Sequence, residues 1–307
     1  MSEALLSKAR GTLIEVQRRT ATVRDEQGKE VHCAYSPTID LKAFSQFAVG
    51  DEVEFHAGSP SQEPLITAIL PRRSSIARPG PGERRHELHV LAANVDALVV
   101  VSTPDRPVFN PRLVDRYLAL AEYFGLESFI CFNKIDLLEE MPPELVYLET
   151  LGYPVMPCSA KSGEGLDAML SILGQRNVVL SGSSGVGKSS LIRALVPGAD
   201  PRVGDVRKGD GKGRHTTTTS RLYEVRGGLR IIDTPGLREL GFWGVEPREI
   251  ADLFKDFRPL ISQCQFRDCL HIGEKGCALT TAVADGRMPE ARYLSYRRLL
   301  DTLENIG

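Results

Sequence analysis

Four short stretches of this 307-residue chain have residue types and spacings suited to holding a purine nucleotide. Gly182-Ser183-Ser184-Gly185-Val186-Gly187-Lys188-Ser189 has the G-x4-G-K-S spacing of a phosphate-binding loop, and Ser190 continues it. Gly182 and Gly187 let the backbone turn tightly and aim N–H groups at phosphate oxygens. Lys188 is placed to contact the β and γ phosphates and Ser189 to coordinate Mg²⁺, beside a favourable helix N-terminus. Asn133-Lys134-Ile135-Asp136 is an NKxD pattern. Asn133 and Asp136 are expected to choose the base, because a carboxylate accepts two hydrogen bonds from guanine N1–H and its exocyclic amine. Adenine offers no such donor pair, and an unpaired buried charge costs more than the roughly 1–3 kcal/mol of a neutral group. Lys134 is expected to lay its stem along the base. Ser159-Ala160-Lys161 strengthens the pattern, with the Ala160 N–H available to guanine O6. Asp233-Thr234-Pro235-Gly236 is a DxxG in which Asp233 serves Mg²⁺ and Gly236 offers its N–H to the γ-phosphate.

The order of these motifs is informative. Base-reading residues precede phosphate-binding residues, and DxxG comes last. An unpermuted GTPase runs phosphate loop, DxxG, NKxD. Leu237 stands where many GTPases place a water-orienting Gln, so unassisted hydrolysis is expected to be slow. Between the phosphate loop and DxxG lies Gly213-Arg214-His215-Thr216-Thr217-Thr218-Thr219, with Lys208 and Lys212 before it. One threonine of 216–219, with Thr217 the first choice, is expected to close over Mg²⁺ together with Ser189 and Asp233. His215 is a candidate to orient water or act as base; the alternative is a solvated loop histidine.

A second chemistry is written in Cys264-x4-Cys269-x-His271-x5-Cys277. Three thiols and an imidazole at this spacing fit one closed, tetrahedral, structural Zn²⁺ site. Cys33, Cys131 and Cys158 fall in strand-like apolar segments and read as small core residues.

Several elements must position these groups. Five or so short strands in residues 1–75 suit an OB-type β-barrel. The Pro-, Gly- and Arg-rich stretch within 76–89 reads as a linker. Residues 90–240 alternate strand and helix, as in an α/β domain with a parallel-rich sheet. Residues 241–307 read as a mostly helical metal-binding domain. Its closing helix, Pro289 to Ile306, carries Tyr293, Tyr296, Leu300 and Leu303 on a core-facing stripe.

Composition sets bounds on function. With 42% hydrophobic and 25% charged residues, the chain is globular. A net charge of −2 means that nucleic-acid binding would have to come from local basic patches. No apolar run is long enough for a bilayer, and Met1-Ser2-Glu3-Ala4-Leu5-Leu6 shows no signal-peptide pattern. The expected protein is cytoplasmic, away from membranes and, lacking heptads, a monomer.

Taken together, NKID, SAK, GSSGVGKSS, GRHTTTT, DTPG and the cysteine–histidine cluster resemble the circularly permuted small-ribosomal-subunit-biogenesis GTPases of the RsgA type. The likeness extends from about residue 10 to about residue 300. It implies an N-terminal OB-type barrel, a permuted P-loop GTPase domain and a C-terminal zinc domain. It implies GTP/GDP binding by Asn133–Asp136 and Gly182–Ser190, zinc on Cys264, Cys269, His271 and Cys277, and catalysis involving His215. The implied partners are the small ribosomal subunit, its rRNA and other assembly factors, with GTP turned over faster on the subunit. The alternative is an RNA-binding assembly module that GTP merely locks.

Overall fold

The computed structural model describes residues 8–37, 39, 47–59, 62–79, 88–199, 201, 220–234 and 240–304. The chain forms two compact units. One comprises Met1–Asp96, Gly174–Val179 and Leu195–Glu239; the other comprises Ala97–Leu173, Leu180–Ala194 and Leu240–Gly307.

In the first unit, β1 (Lys8–Val16), β2 (Thr20–Asp25), β3 (Glu30–Tyr35), β4 (Glu52–His56) and β5 (Leu65–Ile69) close into a barrel. β1 pairs with both β2 and β4, β2 with β3 and β4 with β5, all antiparallel, while the parallel β3–β5 pair completes the ring. The register of β1 with β2 shifts between Leu13 and Glu15, and such a bulge bends a strand. The β2–β3 turn follows from its chemistry: Asp25 accepts the Gln27 and Lys29 N–H groups, and Gly28 takes φ +83°. Leu13, Val23, Cys33, Val53, Phe55 and Ile66 fill the interior.

The segment read as a linker is partly strand. β6 (Ser75–Pro79) and β7 (Leu88–Ala93) pair antiparallel, while residues 80–87 between them lie outside the described set. Pairing prevails over Pro and Arg composition because buried polar groups anchor the hairpin's flanks. Asp51, fully buried, takes two hydrogen bonds from Arg72 at 2.6 and 2.8 Å. The buried Asn94 accepts from the Arg73 N–H and donates to the Gly50 carbonyl.

The second unit begins with β8 (Ala97–Ser102), α1 (Pro111–Tyr123), β9 (Glu127–Phe132), α2 (Pro143–Thr150), β10 (Val155–Pro157) and α3 (Leu166–Leu173). β8, β9 and β10 run parallel in that order, and every residue of β8 is buried, as its apolar run requires. Asn110 caps α1 by accepting the Leu113 N–H, with Pro111 at the first helical position. β11 (Asn177–Ser181) begins in the first unit and ends in the second, and α4 (Lys188–Leu195) follows it. β12 (Arg221–Glu224) and β13 (Arg230–Asp233) belong to the first unit, where β13 pairs parallel with β11 and antiparallel with β12.

The chain from 240 onward packs in the second unit around Phe254, Phe257, Leu279 and Tyr296, joined by Ala119 of α1. It contains α5 (Arg258–Ile261), α6 (Ala278–Ala284) and α7 (Glu290–Glu304). Tyr296 and Leu300 are core residues, so the stripe on α7 is packing surface. Among the described residues no helix is long and apolar enough to cross a membrane.

Candidate functional site

In the second unit, three loops at the ends of buried strands meet on one side chain. Asn133 follows β9 and is 1% exposed. Its Oδ1 accepts the Ala160 N–H at 3.0 Å, and its Nδ2 donates to the Val186 carbonyl at 2.9 Å. The asparagine therefore ties the NKxD, SAK and phosphate loops together. Gly187 is required by the same contact: a Cβ there would lie 2.3 Å from Asn133 Nδ2, at φ +98°. Gly182 has a matching reason, since its Cβ would lie 2.3 Å from the Val101 carbonyl oxygen.

The base-facing residues are pre-arranged. Asp136 sits on a single 3-10 turn, Ile135–Leu137, after Lys134 takes the left-handed conformation at φ +65°. Ser159, fully buried, donates to Asp136 Oδ1 at 2.8 Å, and the exposed Lys161 ammonium lies 3.8 Å from Oδ2. The carboxylate is thus oriented yet still 27% exposed. Lys134 donates to the Arg106 carbonyl. Sequence reasoning gave Asn133 to the base and the Ala160 N–H to guanine O6; here those two groups bond each other. Cys131 and Cys158 are buried as expected, and their sulfurs touch at 3.3 Å directly beneath these loops.

In the phosphate loop, Lys188 donates to the Gly182 and Ser183 carbonyls at 2.7 and 2.9 Å. Ser189 and Ser190 stand in the first turn of α4. Asp233 ends β13 in the other unit. His215, Thr217 and Gly236 lie outside the described residues, as do Lys208, Lys212, Arg214 and Leu237.

Cys264, Cys269, His271 and Cys277 bring four ligand atoms within 4.8 Å of one another. The His271 Nδ1 lies 3.4 Å from the Cys264 sulfur and 3.6 Å from that of Cys277. A tetrahedron with Zn–S of about 2.3 Å and Zn–N of about 2.0–2.1 Å has S···N edges near 3.5 Å, so the set fits such an ion. Burial pushes the Cys269 thiol up to about 12 and lowers the His271 imidazole, so a cation is what would favour the thiolate. Glu274 folds the loop: its carboxylate accepts the Leu270, Ile272 and Gly273 N–H groups. Tyr296 and Tyr293 donate to the Leu270 and His271 carbonyls at 2.5 and 2.8 Å.

Sequence reading missed one polar cluster. Arg292 on α7 bonds Asp115 on α1 and Asp256, all three side chains 4% exposed. Burial raises the Asp115 carboxyl above its ordinary range, even with the arginine against it. Asp115 interrupts the otherwise apolar buried face Val114, Tyr117, Leu118 and Ala121, and that interruption was the available signal. The same helix holds the chain just after DxxG, through Arg116 to the Leu240 carbonyl and Tyr123 to that of Trp243.

Residues 69–243 match the model of the RsgA GTPase family. The chain belongs to that family. The RsgA assignment makes the chain a GTPase, and it is supported by relatives along its length. It is 42% identical over 286 residues to the small ribosomal subunit biogenesis GTPase RsgA of Gemmatimonas aurantiaca, covering 92% of this chain and 93% of that one. Among solved structures it resembles YjeQ from Thermotoga maritima, with TM-score 0.75, 31% identity and coverage of 97% and 99%. It also resembles YloQ, described as a circularly permuted GTPase, with TM-score 0.72, 26% identity and coverage of 100% and 99%. The motif order 133–136, 182–189, 233–236 is the permuted one.

Proposed function

We propose that this GTPase assists late maturation of the small ribosomal subunit, hydrolysing GTP slowly alone and faster on the subunit. The observation that carries guanine recognition is the Asp136 carboxylate, held by Ser159 and Lys161 yet open to a ligand. Asp136 takes guanine N1–H and the exocyclic amine. Lys134 and Ile135 flank the base, and Asn133 keeps Ser159, Ala160 and Lys161 in register with the phosphate loop. Gly182 to Ser190 bind the phosphates, for which Lys188 must leave its own loop carbonyls. Ser189, Thr217 and Asp233 hold the magnesium that neutralises phosphate charge. Gly236 senses the γ-phosphate and His215 positions the attacking water.

The likeness to the small ribosomal subunit biogenesis GTPase of Gemmatimonas aurantiaca supports the subunit as partner. The barrel of 1–75 contacts rRNA, 76–89 joins it to the GTPase domain of 90–240, and 241–307 folds on zinc through Cys264, Cys269, His271 and Cys277. Turnover releases the protein and other assembly factors. The protein works in the cytoplasm as a monomer. Leu237, in place of a water-orienting Gln, favours a second reading in which GTP locks an RNA-binding module and turnover is marginal.

Measuring GTP hydrolysis with small subunits, and with large subunits as control, separates the readings. Stimulation by small subunits alone supports the first. GTP binding without stimulation supports the second. His215→Ala is expected to keep binding and lose stimulated turnover.

A further inference from the structure

The loop between β8 and α1 supplies a residue that none of the nucleotide motifs contains. Arg106 takes φ +51°, a left-handed conformation that suits Gly, Asn or Asp and is costly for a long side chain. Backbone demands therefore do not explain an arginine here. The loop is braced in this shape: Thr103 donates to the Pro107 carbonyl at 2.8 Å, and the Phe109 N–H to that of Pro104 at 3.3 Å. Phe109 meets Phe132, just before the NKxD, edge to face at 5.7 Å.

Two contacts bring Arg106 to the nucleotide site. Its carbonyl accepts the Lys134 ammonium. Its loop also lies against the phosphate loop, where a Cβ on Gly185 would sit 3.6 Å from Pro107 Cδ and 3.9 Å from the Arg106 carbonyl oxygen. From that anchor the side chain projects 87% exposed, with a weak 3.4 Å pairing to Asp105, itself half exposed. A planar guanidinium in this position is suited to phosphate oxygens, which it can bind with two parallel hydrogen bonds.

We propose that Arg106 binds the β-phosphate of the guanine nucleotide held by the phosphate loop, releasing Asp105 as it does so. This rests on the reading of Gly182–Ser190 as the phosphate site. The guanidinium then acts as a fixed positive charge supplied from outside the phosphate loop, and it holds diphosphate and triphosphate alike.

The test is equilibrium binding of GMP, GDP and GTP to the full-length protein and to Arg106→Ala, Arg106→Gly, Arg106→Lys and Lys188→Ala. Arg106→Gly matters because glycine relieves the left-handed backbone, so its fold is kept or strengthened while the charge is lost. A charge-assisted hydrogen bond implies a loss of about ten- to a hundredfold for GDP and GTP in the Ala and Gly variants, with Lys between them and wild type. GMP affinity is expected to change far less. Unchanged GDP affinity in Arg106→Gly, with Lys188→Ala defective, overturns the proposal alone. Equal losses for GMP, GDP and GTP place the guanidinium on the α-phosphate, ribose or base and also overturn it. If Lys188→Ala binds GDP as wild type does, the phosphate-site reading itself fails.

Discussion

The nucleotide loops and the cysteine–histidine cluster solve opposite problems with similar parts. Both place polar side chains on short loops at the ends of buried elements. In the first, groups meant for a ligand are held by provisional protein partners: Lys188 by loop carbonyls, Asp136 by Ser159 and Lys161. In the second, four ligand atoms lie within 4.8 Å of one another, a full set for a tetrahedral ion. An open site must be stiff before its ligand arrives, so it relies on the buried Asn133, bonded at both ends of its amide. A closed site can draw its stiffness from the ion. One depends on the fold and the other contributes to it.

The largest expected effect tests that division. Structural zinc is worth on the order of 10 kcal/mol in small domains. Chelation or Cys277→Ser is expected to abolish bound zinc and hydrogen-exchange protection across 250–304, while β8 and β9 stay protected. Loss of protection in β8 and β9 as well would show that the two regions fold as one, through Ala119 and Arg292.

Breaking the buried cluster comes next. Arg292→Leu leaves Asp115 and Asp256 facing each other without a cation, which costs about 3–5 kcal/mol. Thermal melting should show the drop, and replacing all three residues with apolar ones should recover much of it. A melting temperature unaffected by Arg292→Leu would remove this cluster as the fastening between α1 and α7.

At the open site the effects are smaller and chemical in kind. Asp136→Asn exchanges a double acceptor for an amide that mismatches guanine. GTP affinity is expected to fall by about 1.5–3 kcal/mol with little change in melting temperature. A large stability loss would instead make Asp136 part of the scaffold, as Asn133 is. The smallest effect is expected for Tyr293→Phe, which removes the hydrogen bond to the His271 carbonyl and the longer one accepted from Arg297, and costs about 0.5–1.5 kcal/mol. Zinc retention measured against competing chelator should weaken slightly; no change would confine the tyrosine to packing.

These cases show what can be read from one dimension. The phosphate loop, NKxD, SAK and the cysteine–histidine spacing are local patterns. Each is set by the geometry of a single turn, and that makes it legible. The barrel was legible from short alternating strands, although the hairpin from 75 to 93 was not. Its Pro and Arg content signals a linker, while the bonds that hold its flanks join Arg72 to Asp51 and Arg73 to Asn94, each pair 21 positions apart. The link between Asn133 and the Ala160 N–H was hidden for a related reason. Motif chemistry relates each to a base, whereas packing also ties them to each other.

By itself the sequence determined the ligand chemistry, the order of the motifs and the residues able to hold a metal, because those depend on residue type and close spacing. Tertiary structure decided which polar groups meet. It put Arg106 beside Gly185, Asp115 beside Arg292 and two tyrosines behind the cysteine loop. Those pairings join residues tens to nearly two hundred positions apart, and only the packing of buried strands and helices sets such distances.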